Sequence, residues 1–144
     1  TGDEFVLGYD CLKRIIPPGG IPLQVGCVVI NVETALNKLG EVALHLGKTA
    51  MSSEVMTAFA HAYPFMEVSG DVVMSWLLLW RATIAAEKLE NGAKKKDVAF
   101  YEGQLKSAEF FVHCVLPVTL GKMDVVLGTN AAAVDISQDA FGGK

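Results

Sequence analysis

The chain has 144 residues, of which 51% are apolar and 19% are charged, and its formal net charge is −4. This composition excludes a disordered chain, which needs low hydrophobicity and a high net charge, and it lacks the basic surplus that nucleic-acid binding requires. The three cysteines form no Cys-x-x-Cys motif, which is typical of a reducing compartment, so we expect a cytoplasmic protein. The low charge also indicates that some apolar surface packs against another domain or subunit.

No transmembrane segment is expected. The longest uncharged stretch, Ile15 to Val32, contains three prolines and three glycines, which prevent a single apolar helix. The most apolar run, Val72 to Trp80, stops at Arg81. The first residue is Thr1 rather than Met, which predicts a processed chain or a part of a longer protein.

The first half of the chain predicts two helices. In residues 3–16, Phe5, Tyr9, Leu12 and Ile16 recur at helical spacing, and Pro17-Pro18-Gly19-Gly20 ends the segment. The second helix, about 22–48, has one apolar stripe, which comprises Val25, Val28, Val29, Val32, Leu36, Leu39, Ala43 and Leu46. Its β-branched opening could instead form a strand, but the unbroken stripe favours a helix.

A third helix is predicted from Glu54 to Asn91, with Ser52 or Ser53 as its cap and a kink or break near Pro64. Its second half, residues 72–89, is apolar on almost every side, which predicts a helix buried at the centre of a bundle. We expect Val73, Leu77, Trp80 and Ile84 to form one of its core stripes.

The fourth predicted helix has Asp97 as its N-terminal cap and ends near Leu127. A kink is expected at Pro117. Its core stripe comprises Tyr101, Leu105, Ala108, Val112, Val115 and Thr119. Four further residues lie off this stripe and predict a second contact surface: Phe100, Phe110, Phe111 and Cys114. Residues 128–144 are expected to be an irregular tail. Together the segments predict a single all-α domain over residues 1–144, an antiparallel up-and-down four-helix bundle with kinked helices.

The motifs of this chain predict neither a metal nor a cofactor site. Gly47-Lys48-Thr49 resembles half of a phosphate-binding loop, but it ends a helix instead of opening one and lacks the earlier glycine. The pairs Glu41/His45 and Glu109/His113 are spaced i,i+4 rather than the i,i+3 of di-iron bundles, so we expect exposed ion pairs. His61 is expected to be a partly buried polar residue.

Several stretches of the second half share packing residues and helix breaks with a known family. They are Ala62–Met66, Gly70–Val73, Trp76–Ala82, Ala99–Glu102, Lys106–Phe111, Val115–Pro117 and Ala140–Gly143. From Ala62 to Lys144, and more loosely from Val32 to Lys48, the chain resembles the C-terminal helical extension of bacterial acyl-CoA dehydrogenases.

The resemblance implies that this chain is a non-catalytic accessory domain. Full-length members of the family bind FAD and oxidise an acyl-CoA to the 2,3-enoyl-CoA in an upstream core. The resemblance implies that this core, in the same chain, is the partner of the domain, and that the whole protein is a homo-oligomer. The family's catalytic glutamate often stands in Tyr-Glu-Gly-Thr. Here Tyr101-Glu102-Gly103 is followed by Gln104 within a helical pattern, so no catalytic residue is carried over. Phe100, Phe110, Phe111 and Cys114 are then the expected interface residues.

Two other readings stay open at this point. A free-standing four-helix interaction module or ligand carrier would also use a second apolar face on its last helix. A small di-metal bundle enzyme is the third reading. An open reading frame that continues upstream of Thr1 would favour the dehydrogenase domain, whereas a start codon near Thr1 would count against it.

Overall fold

A computed structural model describes residues 23–142, and these residues are helical with no strand among them. The helices are α1 (Leu23–Ala50), α2 (Val55–Ala60), α3 (Ala62–Glu90), α4 (Val98–Phe110), a π-helical turn (Phe111–Val115), α5 (Leu116–Leu127), α6 (Ala132–Asp135) and α7 (Gln138–Gly142). The all-α prediction is confirmed for this part of the chain. The predicted helix over residues 3–16 lies outside the described residues.

The backbone of α1 is helical from Leu23 onward, so the alternative of a β-strand at its start is wrong. From residue 29 on, where side chains are described, Val32, Ala35 and Val42 are fully buried. Ala43, which the sequence predicted in the apolar stripe, is exposed. The buried stripe passes through Val42 instead.

The predicted break near Pro64 is confirmed. Helix α2 ends at Ala60 and α3 begins at Ala62, so Pro64 lies in the first turn of α3, where a missing N–H costs no helical hydrogen bond. Ser52 Oγ accepts a 3.1 Å hydrogen bond from the N–H of Glu54. This bond orders the turn that leads into α2, whose N-cap residue is Glu54.

Helices α4 and α5 join through the π-helical turn into one helix from Val98 to Leu127. Pro117 follows directly, in the first turn of α5. In a regular α-helix its ring would clash with the carbonyl of His113, and a wider π-helical turn is one way to accommodate such a residue. Asp97 occupies the N-cap position of α4, but its side chain makes no capping hydrogen bond. The predicted side-chain cap is therefore wrong.

Three polar contacts define the directions of the long helices. Lys122 Nζ lies 3.4 Å from Glu67 Oε1, and the Thr119 hydroxyl donates a 2.7 Å hydrogen bond to Asp71 Oδ2, so α3 and α5 run antiparallel. Lys38 Nζ lies 2.6 Å from Asp124 Oδ1. His45 contacts Thr129, just after the end of α5. Both residues of this second contact come later in the sequence than those of the first, so α1 and α5 run in the same direction.

The three long helices thus run up, down and up, and they create two different ends. At the three-helix end, α5 packs against α1 and the first half of α3. The core there is built from Val32, Ala35, Val42, Val68, Val72, Leu116, Met123 and Val126. At the two-helix end, α4 packs against the second half of α3, and their buried residues are mainly small: Ala82, Ala85, Ala86 and Ala108.

The prediction that α3 is buried on all sides is wrong. Val73, Leu77, Trp80 and Ile84 form an exposed stripe, and Trp80 is 46% exposed. The buried side of α3 passes instead through Val68, Val72, Ser75, Leu79, Ala82, Ala85 and Ala86. When a helix is apolar on all sides, its sequence does not specify which side packs against the other helices. No described helix covers the exposed stripe of α3.

The predicted irregular tail is also partly wrong. Residues 132–135 and 138–142 form the short helices α6 and α7. Asn130 Oδ1 accepts a 2.8 Å hydrogen bond from the N–H of Ala132 and so orders the start of α6. Helix α6 contacts α2, and therefore this part of the tail packs back onto the domain.

Candidate interface site

Three of the four predicted interface residues lie together. Phe110 ends α4 and is 64% exposed, while Phe111 and Cys114 belong to the π-helical turn that follows. Phe111 is half-buried and Cys114 is an exposed free thiol. We call Phe110, Phe111 and Cys114 the junction surface. The core stripe of the same helix passes through Ala108, Val112 and Leu116 and faces the bundle. The junction surface lies beside this stripe.

Phe100 lies apart from the junction surface, because ten residues of helix separate it from Phe110 by about 15 Å. It is 61% exposed at the two-helix end. There it lines a shallow apolar cleft of about 190 Å³, between α3 and α4. The other lining residues are Arg81, Ile84, Ala85, Tyr101 and Gln104.

The cleft does not fit FAD. Sites for small molecules and cofactors usually enclose about 300–1,000 Å³ and have a few convergent polar groups. This cleft is smaller and open, and Arg81 is its only charged lining residue. This cleft therefore provides no cradle for a dinucleotide, and no chemical step is assigned to it.

Sequence reasoning missed the exposed stripe of α3 as a surface. The stripe Val73, Leu77, Trp80 and Ile84 leads into the cleft through Ile84. Its Trp80 ring stacks on Trp76, with ring centroids 6.3 Å apart, and Trp76 in turn packs against the core. The available signal is the apolar character of residues 72–89 on more than one side, which fits a helix with an uncovered apolar stripe as well as a centrally buried one.

The Glu109/His113 pair is exposed, as expected, but the closest partner of Glu109 is Lys106. Lys106 Nζ lies 2.7 Å from Glu109 Oε2. The hydrogen bond from Lys106 and its positive charge lower the pKa of Glu109, and His113 adds to this shift, while slight desolvation opposes it. Glu102, about two turns earlier, is also exposed on α4.

The other two histidines bond within the fold. His61 is buried, and its Nδ1 lies 3.0 Å from the carbonyl oxygen of Thr57. His45 is half-buried against the Thr129 hydroxyl, while Glu41 is exposed. Within residues 23–142, no three histidine, cysteine or acidic side chains converge as metal ligands would.

Within the described residues, one helix, Val98–Leu127, has the length and composition to cross a membrane. Core helices of globular proteins meet the same criteria, and this helix buries Ala108, Val112 and Leu116 in the bundle. It is therefore weak evidence for a membrane span.

Comparison with known proteins gives matches over most of this fold. A family model described as "Acetyl-CoA dehydrogenase C-terminal like" matches residues 23–137. The broad-specificity linear acyl-CoA dehydrogenase FadE5 of Mycobacterium tuberculosis is 30% identical over 77 residues, which are 54% of this chain and 13% of that protein. The butyryl-CoA dehydrogenase of Syntrophomonas wolfei is 35% identical over 66 residues, which are 45% of this chain and 11% of that protein. These matches thus span only about a tenth of the relatives' length.

Proposed function

The chain belongs to the acetyl-CoA dehydrogenase C-terminal-like family, and from this premise we propose that it is a non-catalytic accessory domain at the C-terminal end of an FAD-dependent acyl-CoA dehydrogenase. In this proposal the complete enzyme is a cytoplasmic bacterial protein that oxidises an acyl-CoA to the 2,3-enoyl-CoA. The observation that carries the proposal is the family match over residues 23–137, together with the small share of each relative that the chain covers.

The physical role of the domain in this proposal is to pack against the dehydrogenase core or a partner subunit of a homo-oligomer. The junction surface provides the contact, because Phe110 and Cys114 are exposed on a helix whose other side already faces the bundle. Buried aromatic residues are often the strongest contributors to protein interfaces. In the intact protein we place the domain as an antiparallel up-and-down four-helix bundle with kinked helices.

The FAD and the catalytic base belong to the upstream core in this proposal. Two observations support that placement. The cleft at the two-helix end is too small for a dinucleotide. Glu102 is exposed on α4 and does not line the cleft.

A truncation of the longer protein tests the accessory role. The protein would be expressed with and without the residues from Thr1 onward, and the FAD content, acyl-CoA-dependent reduction of an electron acceptor, and sedimentation would be measured. We expect the truncated protein to keep FAD and to change its oligomeric state. Complete loss of FAD in a folded truncated protein would contradict the proposal.

A second experiment tests the assignment of the base. Glu102→Gln in the longer protein is expected to leave turnover within a few-fold of the unmodified enzyme, and Glu109→Gln is the matched control on the same helix. A catalytic base contributes about 10²–10⁴-fold. A loss of a hundredfold or more in Glu102→Gln alone, with FAD retained, would place catalysis within this chain.

A further inference from the structure

The exposed side of α3 carries a continuous row of residues at coiled-coil spacing. They follow one another at alternate steps of three and four positions, which is the heptad spacing of a helix that packs lengthwise against another helix. We call this row the α3 seam, and it comprises Tyr63, Met66, Gly70, Val73, Leu77, Trp80 and Ile84. Apart from the glycine, its members are large and apolar, and each is at least 36% exposed.

The α3 seam lies on the side of its helix that faces away from the bundle. Each seam residue from Met66 onward stands two positions before a buried residue, as Met66 does before Val68 and Leu77 before Leu79. Two positions correspond to about 200° around an α-helix. The bundle therefore packs against the opposite side of α3, and no helix within residues 23–142 covers the seam.

The α3 seam is complementary in shape to a second, antiparallel copy of itself. A two-fold axis at the level of Ser75 places Val73 opposite the partner's Leu77, and Gly70 opposite the partner's Trp80. A Cβ atom at Gly70 would meet no atom within 4 Å, so the surface there has room for an indole ring. In a parallel pair, like residues would meet instead, with the two Trp80 rings in one layer and a gap between the two copies of Gly70.

The same register brings opposite charges together. Glu67 and Arg81 each directly follow a seam residue, so both flank the seam on the same side. With the axis at the level of Ser75, Glu67 comes opposite the partner's Arg81, and the symmetry repeats the pair. Arg81 is exposed and makes no ion pair within the described residues, and Glu67 makes one contact of 3.4 Å, to Lys122. Both charges are therefore available to a partner.

We propose that the α3 seam is the interface of a homodimer, in which two copies of α3 pack antiparallel around an axis at the level of Ser75. Gly70 receives the partner's Trp80, and Glu67 pairs with the partner's Arg81. The junction surface lies on another helix and stays free for the dehydrogenase core. This proposal does not depend on the accessory function, because it concerns two copies of the same chain. A monomeric chain would overturn it and leave the family assignment intact.

Sedimentation equilibrium of the 144-residue chain over a concentration series tests the interface. The chain should dimerise, and Val73→Asp should raise the dissociation constant at least about tenfold, because it buries a carboxylate between two apolar surfaces. Val125→Asp is the matched control, since Val125 is 67% exposed on α5 and lies outside the seam. A chain that stays monomeric would overturn the proposal, as it would if another part of the chain or the dehydrogenase core covered the seam. Equal effects of the two variants would place the dimer contact elsewhere and overturn it as well.

Charge exchange tests the antiparallel register. Glu67→Arg and Arg81→Glu should each weaken self-association about tenfold, because each homodimer then contains two pairs of like charges. Mixed in equal amounts, the two variants should associate about as tightly as the unmodified chain, because their heterodimer contains two pairs of opposite charges again. Glu41→Arg, the same change at an exposed position of α1, should leave the dissociation constant unchanged.

The recovery on mixing is specific to this arrangement. In a parallel dimer Glu67 would lie 14 positions, or about 21 Å, from the level of the partner's Arg81, so mixing would restore nothing. Absence of recovery in the mixture would therefore overturn the antiparallel seam. Recovery to the dissociation constant of the unmodified chain supports it, and this result does not depend on the stability of Val73→Asp.

Discussion

The three-helix end and the two-helix end of this domain use their apolar residues differently. At the three-helix end, valines, leucine and methionine from three helices meet in a fully buried core. At the two-helix end, α3 and α4 pack through Ala82, Ala85 and Ala108. Small residues let two helices approach closely, but two helices cannot enclose the large side chains beside that contact.

The consequence is visible in the exposed residues. Trp80, Ile84 and Phe100 all lie at the two-helix end, and each is more than 40% exposed. At the three-helix end, Val72, Leu116 and Met123 are at most 1% exposed, although Leu44, Met66 and Val125 on its outer faces are more than 60% exposed. The two ends therefore differ in their interior: three helices enclose large side chains, whereas two helices enclose mainly alanines.

The largest effect is expected from Leu116→Ala at the three-helix end. Leu116 is 1% exposed, and removing a buried leucine side chain typically costs about 2–5 kcal/mol. Urea unfolding of the 144-residue chain measures this loss. Val118→Ala, two residues later and 60% exposed, should change stability by about 0.5 kcal/mol or less. Similar losses in both variants would remove the distinction between core and surface on α5.

Thr119→Val tests a buried polar link at the same end. The fully buried Thr119 donates its 2.7 Å hydrogen bond to Asp71, across from α5 to α3. Valine keeps the volume but leaves the carboxylate without this donor, which should cost about 1–3 kcal/mol. Thr34→Val is the control, because the Thr34 hydroxyl is exposed and bonds only to Ile30 of its own helix. Urea unfolding that gave the same small loss for both would show that the Thr119–Asp71 bond adds no stability.

The sequence predicted the long helices of the described region because their apolar periodicity and breaks are local signals. The spans 22–48 and 97–127 and the break at Pro64 correspond closely to α1, α4–α5 and the start of α3. It could not predict which side of α3 is buried, because residues 72–89 are apolar on several sides. It also could not predict the contact of His45 with Thr129, which are 84 positions apart.

The candidate site was only partly predictable for the same reason. Phe110, Phe111 and Cys114 were identified because they fall off a clear stripe, and the structure brings them together. Phe100 falls off the stripe as well, but it lines the cleft instead. Helical periodicity gives the angle of a residue around its own helix, and the neighbouring helices decide what covers it.

Phe110→Ala is expected to have little effect on the isolated domain. Phe110 is 64% exposed, so its removal should change the free energy of unfolding by about 0.5 kcal/mol or less. In the longer protein the same change should weaken subunit or domain association, which sedimentation measures. Phe111→Ala, at the half-buried neighbour, should destabilise the isolated domain more. An unfolding loss for Phe110→Ala as large as that for Leu116→Ala would place Phe110 in the core and remove the junction surface.

The smallest effect concerns the exposed pair Lys106–Glu109, close to the junction surface. Lys106 lowers the pKa of Glu109, so Lys106→Met should raise that pKa toward its ordinary value, and Lys96→Met, on the distant loop, should leave it unchanged. Carboxylate NMR titration measures both. A pKa that is lower in the folded than in the unfolded state gives a stabilising contribution that is present above the unfolded pKa. That contribution is lost as the pH falls through the folded pKa. Both side chains are largely exposed, so salt should weaken the pKa shift of Glu109. A shift that persisted at high salt in the isolated domain would show that the pair is less open to solvent than its position on α4 implies.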